Sequence, residues 1–211
     1  MKKSKYPGVY TDGRHYYTYS KDKNSVYGEK VIKERSGYMH FWNPTRSKLS
    51  AAMHLKLRNF PFKDSRVLYL GASTGTTVSH VSDIAKDVWA VEISPISMRK
   101  LVSLSERREN IYPILEDARN VEKFGIYVDS VDVLYQDISQ RDQVDIFIKN
   151  MEFFNPNFGI LMLKTRTIDM RKSPKEIMKK TKRTIEEVFR IEEIINISRF
   201  QKDHYALVVI P

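Results

Sequence analysis

Tyr69-Leu70-Gly71-Ala72-Ser73-Thr74-Gly75-Thr76-Thr77 is the stretch whose reading decides the fold. An apolar run that starts at Arg66 feeds into it, and a helical pattern leaves it. Gly71 and Gly75 let the backbone turn sharply and approach a ligand, while the first turn of the following helix offers unpaired N–H groups to a small anion. The spacing is G-x-x-x-G, not the G-x-G-x-x-G of a dinucleotide site. No lysine follows Gly75, which excludes a nucleoside-triphosphate phosphate loop. A purely structural strand-to-helix turn would read the same way, so the loop acquires meaning only from its surroundings.

Outward from this loop, strands and helices alternate. Strands are expected at 66–70, 87–91, 111–115, 130–135, 159–164, 191–198 and 204–210, and helices at 76–85, 95–108, 140–150 and 174–189. Such alternation predicts an α/β, doubly wound, mostly parallel seven-stranded sheet. Only residues 199–203 separate the last two strands, too few for a parallel crossover, so the sheet must end in an antiparallel hairpin. That ending is typical of Rossmann-like methyltransferases rather than dehydrogenases. Residues 6–42 instead alternate short Tyr/Val runs with turn signals, as small antiparallel strands do. A helix capped by Thr45 is expected to run to about Asn59, with Leu49, Ala52, Met53 and Leu57 on one side. The chain thus divides into a small β-rich segment over 1–57 and an α/β domain over 58–211.

Two acids end consecutive strands on the edge where such sheets bind ligands. Glu92 lies 21 residues beyond Gly71, where a carboxylate grips a ribose diol. Asp117 follows the third strand and suits an adenine amino group, with the Ala118 N–H toward the ring. Together with the glycine loop they favour an adenosyl cofactor. An NAD enzyme is the rival, because Glu92 would grip either ribose; the glycine spacing and the terminal hairpin count against it.

The 211 residues contain no cysteine, which excludes disulfides, thiolate nucleophiles and cysteine-based metal sites. The five histidines are scattered, and no metal is expected. No stretch approaches the roughly 18 apolar residues of a membrane span, and the basic start lacks the apolar run of a signal peptide, so a cytoplasmic location is expected. The net charge of +10 is uneven: residues 1–57 hold 12 Lys/Arg against 4 Asp/Glu, and residues 58–211 hold 24 against 22. The basic segment also carries nine aromatics. Cations beside stackable rings suit RNA, although a β-rich segment with lysines for solubility has the same composition. The near-neutral balance of the larger part predicts little long-range pull on RNA, and hence a tethering partner.

Several segments together resemble archaeal members of the fibrillarin family, from about Phe41 to the C-terminus. They are Trp42–Leu49, Gly71–Thr77 with Ser79–Asp83, Val91-Glu92, Arg107–Ile114, Asp117-Ala118-Arg119, Tyr135–Gln140, Lys164–Asp169 and Asp203-His204. Ser73-Thr74 replaces an expected Ala-Ser, Glu116 stands where a glycine is usual, the connection from Ile84 to Val88 is short, and the Gly/Arg-rich tail of eukaryotic members is absent. The resemblance implies ribose 2′-O-methylation of ribosomal RNA, and of transfer RNA in some members, with S-adenosylmethionine as donor. It implies work within a box C/D ribonucleoprotein, with a guide RNA, a target RNA, a coiled-coil scaffold protein and a kink-turn-binding protein. Cofactor contacts are implied at Thr76, Thr77, Glu92, Ile93, Asp117, Ala118, Asp137 and Gln140. The Lys-Asp-Lys-Glu tetrad of related 2′-O-methyltransferases is implied at Lys48, Asp137, Lys164 and, in place of the Glu, His204.

The chemistry asked of that tetrad is modest. A sulfonium methyl is already activated, so the protein must hold a ribose hydroxyl in line and manage its proton. A neutral Lys164 would take that proton if Lys48 and burial depress its pKa, and Asp137 would orient the amine. His204 would anchor Lys48 or a phosphate, or relay the proton; the sequence leaves the base open. Two further rivals are a methyltransferase acting on a protein glutamine and a non-catalytic RNA-binding subunit. Intact Lys48, Asp137 and Lys164 argue against the second.

Overall fold

The structure, a computed structural model, describes residues 1–211. Five short strands come first: β1 (Lys2–Lys3), β2 (Val9–Thr11), β3 (Tyr16–Ser20), β4 (Val31–Lys33) and β5 (Tyr38–Phe41). They form an antiparallel sheet in the order β1-β2-β3-β5-β4. Helix α1 (Lys48–His54) leads into the second part. There β6 (Arg66–Leu70), α2 (Thr76–Ser82), β7 (Asp87–Glu92), α3 (Pro95–Ser105), β8 (Ile111–Leu115), α4 (Val121–Phe124), β9 (Val133–Gln136), α5 (Gln143–Phe154), β10 (Phe158–Lys164), α6 (Thr165–Ile168), α7 (Pro174–Glu186), β11 (Arg190–Asn196) and β12 (His204–Ile210) follow.

The large sheet has the order β11-β12-β10-β9-β6-β7-β8. Strands β6 to β10 pair in parallel, and β12 runs antiparallel between β10 and β11. This is the expected fold: a mostly parallel seven-stranded sheet closed by an antiparallel hairpin, with a separate small β sheet at the N-terminus. Its central strands β6, β9, β10 and β12 are largely apolar because both faces are covered, whereas the edge strand β11 alternates buried and exposed residues. Alternate residues supply two cores. Val67, Tyr69, Val88, Ala90, Val133 and Tyr135 pack on the side of α1, α2 and the N-terminal segment. Leu68, Leu70, Trp89, Val91, Leu134 and Leu161 pack on the side of α4, α5 and α7.

The first helix corrects the sequence reading at both ends. Its N-cap is Ser47, which accepts from the Ser50 N–H and from buried Trp42 Nε1 (2.9 Å); Thr45 belongs to the preceding turn, held by Asn43 Oδ1. The helix stops at His54, not near Asn59, because Lys56 takes a left-handed conformation (φ 70°) and Leu57 N–H returns to the Ala52 carbonyl. The N–H groups of Arg58 and Asn59 then donate to the Glu193 carboxylate on β11 instead of continuing the helix. Other helices are also shorter or shifted: α2 ends at Ser82, α3 at Ser105 and α7 at Glu186, while α5 starts at Gln143. Side chains reaching from elsewhere take the terminal carbonyls, as Asn110 Nδ2 does at Ser82 and Ala85.

Candidate active site

Strand order reverses between β6 and β9, and a ligand crevice opens where the carboxyl ends of such neighbours diverge. Here the crevice is a cleft of about 290 Å³ lined by Gly71, Ser73, Glu92, Ile93, Glu116, Asp117, Ala118, Asp137, Ile138, Ser139, Gln140 and Lys164, among others. Gly71 (φ 82°) is where β6 meets β9: a Cβ there would lie 2.7 Å from the Asp137 carbonyl. Only glycine permits both that backbone turn and that approach.

Glu92, the last residue of β7, is buried, and its carboxylate is fixed by two backbone donors. Ser73 N–H donates to Oε2 at 2.7 Å and Ser94 N–H to Oε1 at 2.8 Å. Each oxygen keeps a further lone pair, which is what two hydroxyls of a ribose need. Asp117 accepts from Arg119 N–H (2.9 Å) and Arg119 Nη1 (2.9 Å). The same guanidinium reaches Asp142 at 2.7 Å and Gln140 Oε1 at 3.2 Å, so one arginine joins the floor and the far wall of the cleft. Glu116 accepts from Asp117 N–H and Asn120 Nδ2. A glycine-lined turn, a buried acid with spare acceptor capacity and a second acid across an apolar floor fit an adenosyl group.

Gly75, Thr76 and Thr77 lie outside this lining. Gly75 (φ 90°) turns the chain into α2, with Leu104 beside it. Thr77 is buried and donates to Ser47 Oγ at 3.0 Å, tying α2 to the cap of α1. Gly75 and Thr77 therefore have structural contacts in the arrangement seen here.

At the other end of the cleft, Asp137 joins two lysines that are far apart in sequence. Lys48 Nζ donates to Oδ2 at 3.1 Å, and Lys164 Nζ lies 2.9 Å from Oδ1. The directed hydrogen bonds of Lys164 go to the Asp137 carbonyl (3.2 Å) and Ser139 Oγ (2.7 Å). Side chains of all three charged residues are mostly buried, at 13–17% exposure. Burial would raise the Asp137 pKa, but the two ammonium groups outweigh it and hold the carboxyl below its ordinary value. Burial lowers the Lys164 pKa; Asp137 opposes this and nearby Lys48 reinforces it, and the net direction is down. Two cations on one carboxylate leave a net charge of +1, which release of one proton removes. The second cation therefore favours loss of a proton from Lys164.

His204 is the cross-strand partner of Lys164 in the β10–β12 ladder, which brings it to the same rim. Its Nδ1–H donates to the Lys202 carbonyl at 2.6 Å, leaving Nε2 as the acceptor. Burial first, then the two lysines, lower its pKa and favour the neutral ring. It makes no hydrogen bond to Lys48, Asp137 or Lys164.

Sequence reasoning missed the groups that hold these side chains in place. Gln143, fully buried, accepts from Lys164 N–H (2.8 Å) and donates to the Gln140 carbonyl (2.9 Å). Gln136, equally buried, donates to the Gln143 carbonyl at 2.6 Å. Two glutamines where a strand ends and a helix begins were the available signal, since such amides are rarely buried without partners.

The family model described as Fibrillarin matches residues 1–210. The fibrillarin-like rRNA/tRNA 2′-O-methyltransferase of Thermoplasma acidophilum is 47% identical over 202 residues, covering 93% of this chain and 86% of the relative. Among solved structures, Aeropyrum pernix fibrillarin with natively bound S-adenosyl-L-methionine superposes with a TM-score of 0.89 at 34% identity, covering 99% of this chain and 96% of that one. A chain of a fibrillarin/Nop5p complex gives a TM-score of 0.91 at 38% identity, covering 99% of both.

Proposed function

This chain belongs to the fibrillarin family, and from that premise we propose that it methylates the ribose 2′-hydroxyl of ribosomal and transfer RNA as the catalytic subunit of a box C/D ribonucleoprotein. It is an enzyme dependent on S-adenosylmethionine, which supplies an electrophilic methyl on its sulfonium. The observation that carries the reading is the single carboxylate of Asp137 shared by Lys48 and Lys164 at one end of the adenosyl cleft.

In this reading Glu92 holds the ribose diol of the donor, and Asp117 with the Ala118 N–H faces its adenine. Ile93 and Gln140 line the same cleft. Lys164 takes the proton of the target hydroxyl as its oxygen accepts the methyl and the methyl–sulfur bond breaks to leave a neutral thioether, and Asp137 orients the amine and stabilises the ammonium that results. Lys48 keeps Lys164 prone to neutrality by like charge. His204, neutral and with Nε2 free, passes the proton toward solvent.

Residues 58–211 carry the chemistry in this proposal, and the basic, aromatic segment 1–57 serves attachment and supplies Lys48. The partner in this proposal is a coiled-coil scaffold protein, and a solved relative in complex with Nop5p supports a protein partner. A guide RNA and a kink-turn-binding protein complete the particle, and its RNA targets place it in the cytoplasm. No helix is long and apolar enough to cross a membrane.

The test is transfer of a labelled methyl from the donor to a target RNA, with and without guide and partner proteins, followed by nuclease mapping of the modified sugar. The expected result is a 2′-O-methyl at one guide-specified nucleotide, with efficient turnover only in the assembled particle. Label on a protein glutamine and none on RNA would replace this reading with its rival.

A further inference from the structure

Charge on the larger part of the molecule is segregated. Residues 164–183 hold nine Lys/Arg against two Asp/Glu, although residues 58–211 as a whole hold 24 against 22. The rest of that part is therefore net acidic, and its positive field issues from one region.

That region begins beside the active site. Arg141, Arg166 and Arg171 line one concavity of about 680 Å³ together with Thr167, Ile168 and Asp169, among others. Arg141 follows Gln140 of the cofactor cleft, and Arg166 lies two residues beyond Lys164. Arg166 pairs with Asp203 through Nε at 3.0 Å and donates from Nη1 to the Met170 carbonyl, which leaves its Nη2 unpaired. The Arg171 backbone N–H donates to Asp169 Oδ1 at 2.9 Å, but its guanidinium approaches that carboxylate only through Nε, at 3.4 Å, and its side chain is 92% exposed. Arg141 has no ion pair or side-chain hydrogen bond. Gathering three guanidiniums destabilises a free protein surface, and an anion removes that cost. No aromatic ring lines the concavity, so it offers nothing for a base to stack on, and its chemistry suits phosphate.

The basic surface continues along α7. Lys175, Lys179 and Lys182 are exposed and spaced to share one side of the helix, apart from buried Ile177, Met178, Thr181 and Ile185. Only Lys182 has an ion-pair partner, Glu186. Thirteen residues of helix extend this charge for about 20 Å, longer than a small anion needs.

We propose that the arginine concavity, continued by the lysine side of α7, seats the phosphate backbone of the RNA that carries the reacting ribose. This rests on the methyltransferase reading above. A ribose hydroxyl held at Lys164 has its flanking phosphates within reach of Arg141 and Arg166, and successive phosphates run out over α7. Phosphate contacts set register and orientation without reading sequence, which suits an enzyme whose target is chosen by base pairing elsewhere.

The experiment uses the full chain reconstituted with guide RNA and partner proteins, and reads single-turnover methylation against target concentration at several salt concentrations. Two double variants are compared with wild type: Arg141→Glu/Arg171→Glu, and Lys175→Glu/Lys179→Glu. Target RNAs carry a single neutral methylphosphonate at each linkage flanking the modified nucleotide in turn. The expected result is a rise of about tenfold or more in the half-saturating RNA concentration, a flatter salt dependence and unchanged affinity for S-adenosylmethionine. For the arginine variant, the defect disappears on targets lacking the phosphate it would contact. An unchanged half-saturating concentration, or a defect equal for every methylphosphonate position, would overturn the inference while leaving the methyltransferase reading intact. Loss of particle assembly in the variants, with no change in RNA affinity, would assign the surface to a protein partner and overturn it too. A wild-type particle that transfers no methyl to RNA would overturn both.

Discussion

Asp137 holds two ammonium groups at once, and this sharing sets the pH behaviour expected of the site. Lys48 lowers the Lys164 pKa by like charge, after burial has lowered it first. Replacing Lys48 by Met removes that charge, so the Lys164 pKa should rise. The limb over which the single-turnover rate climbs with pH should then move to higher pH in Lys48→Met. A limb that stays put or moves down would count against Lys164 as the proton acceptor. On the cofactor side, Glu92→Ala and Asp117→Ala should each weaken S-adenosylmethionine binding by about tenfold or more, since each removes charge-assisted hydrogen bonds to the ligand. Calorimetric titration decides this, and unchanged affinity in both variants would remove the pocket. Glu92 and Asp117 were legible in the sequence because each stands at the end of a strand of clear pattern, so topology alone brings them to one edge. Lys48, Asp137, Lys164 and His204 came from family resemblance. Arg119, Gln136, Gln143 and Ser139 were not legible, because their roles depend on how far a side chain reaches after folding.

At the scale of elements, the central strands of the large sheet were readable because two buried faces make each a mostly apolar run, and the short link expected at 199–203, which spans 197–203 in the structure, pointed to the antiparallel hairpin. Helix ends were not, because distant groups decide them: Glu193 on β11 stops α1, and Asn110 and Arg108 hold the end of α2. The N-terminal sheet shows the same dependence. His40 on β5 is buried with both ring nitrogens facing acceptors, Glu29 Oε1 at 3.0 Å and the Asp22 carbonyl at 2.7 Å. Both nitrogens must donate, so the ring is charged. Burial alone would lower its pKa, but Glu29 and Asp22 outweigh it and the value is raised. Glu29 is lowered: burial opposes this, and His40 with several backbone N–H groups overcomes it. The His40 contribution to stability is therefore complete below about pH 6.5 and fades as pH rises through the folded-state value; that of Glu29 is present above about pH 4.3 and fades as pH falls. His40→Gln should cost about 3 kcal/mol at pH 6, the usual penalty for breaking a buried pair, and clearly less at pH 9. Denaturant unfolding at the two pH values checks this, and an equal loss at both would show that His40 is neutral in the folded protein.

Over the whole molecule, charge is arranged in two basic regions around an acidic remainder: residues 1–57 and residues 164–183. Block averages over residues 58–211 concealed the second, because α7 and the arginine loop are compensated in number, but not in place, by acids elsewhere. The near-neutral total of the larger part thus coexists with a locally basic stretch that begins at Lys164. The N-terminal segment is also more than an attachment: Tyr6 and Trp42 are buried in the same core as the α/β sheet, and Tyr6 OH donates to the Met53 carbonyl at 2.8 Å near the end of α1. That packing fixes α1, and so fixes Lys48 against Asp137. The most direct test of the chemistry is the single-turnover rate of Lys164→Ala in the reconstituted particle at saturating RNA, measured across pH beside its S-adenosylmethionine affinity. Loss of a positioned base predicts a rate lower by about 10²–10⁴, a flattened pH profile and nearly unchanged donor affinity. A wild-type rate and profile in Lys164→Ala would contradict the account and leave the shared carboxylate as a structural ion pair.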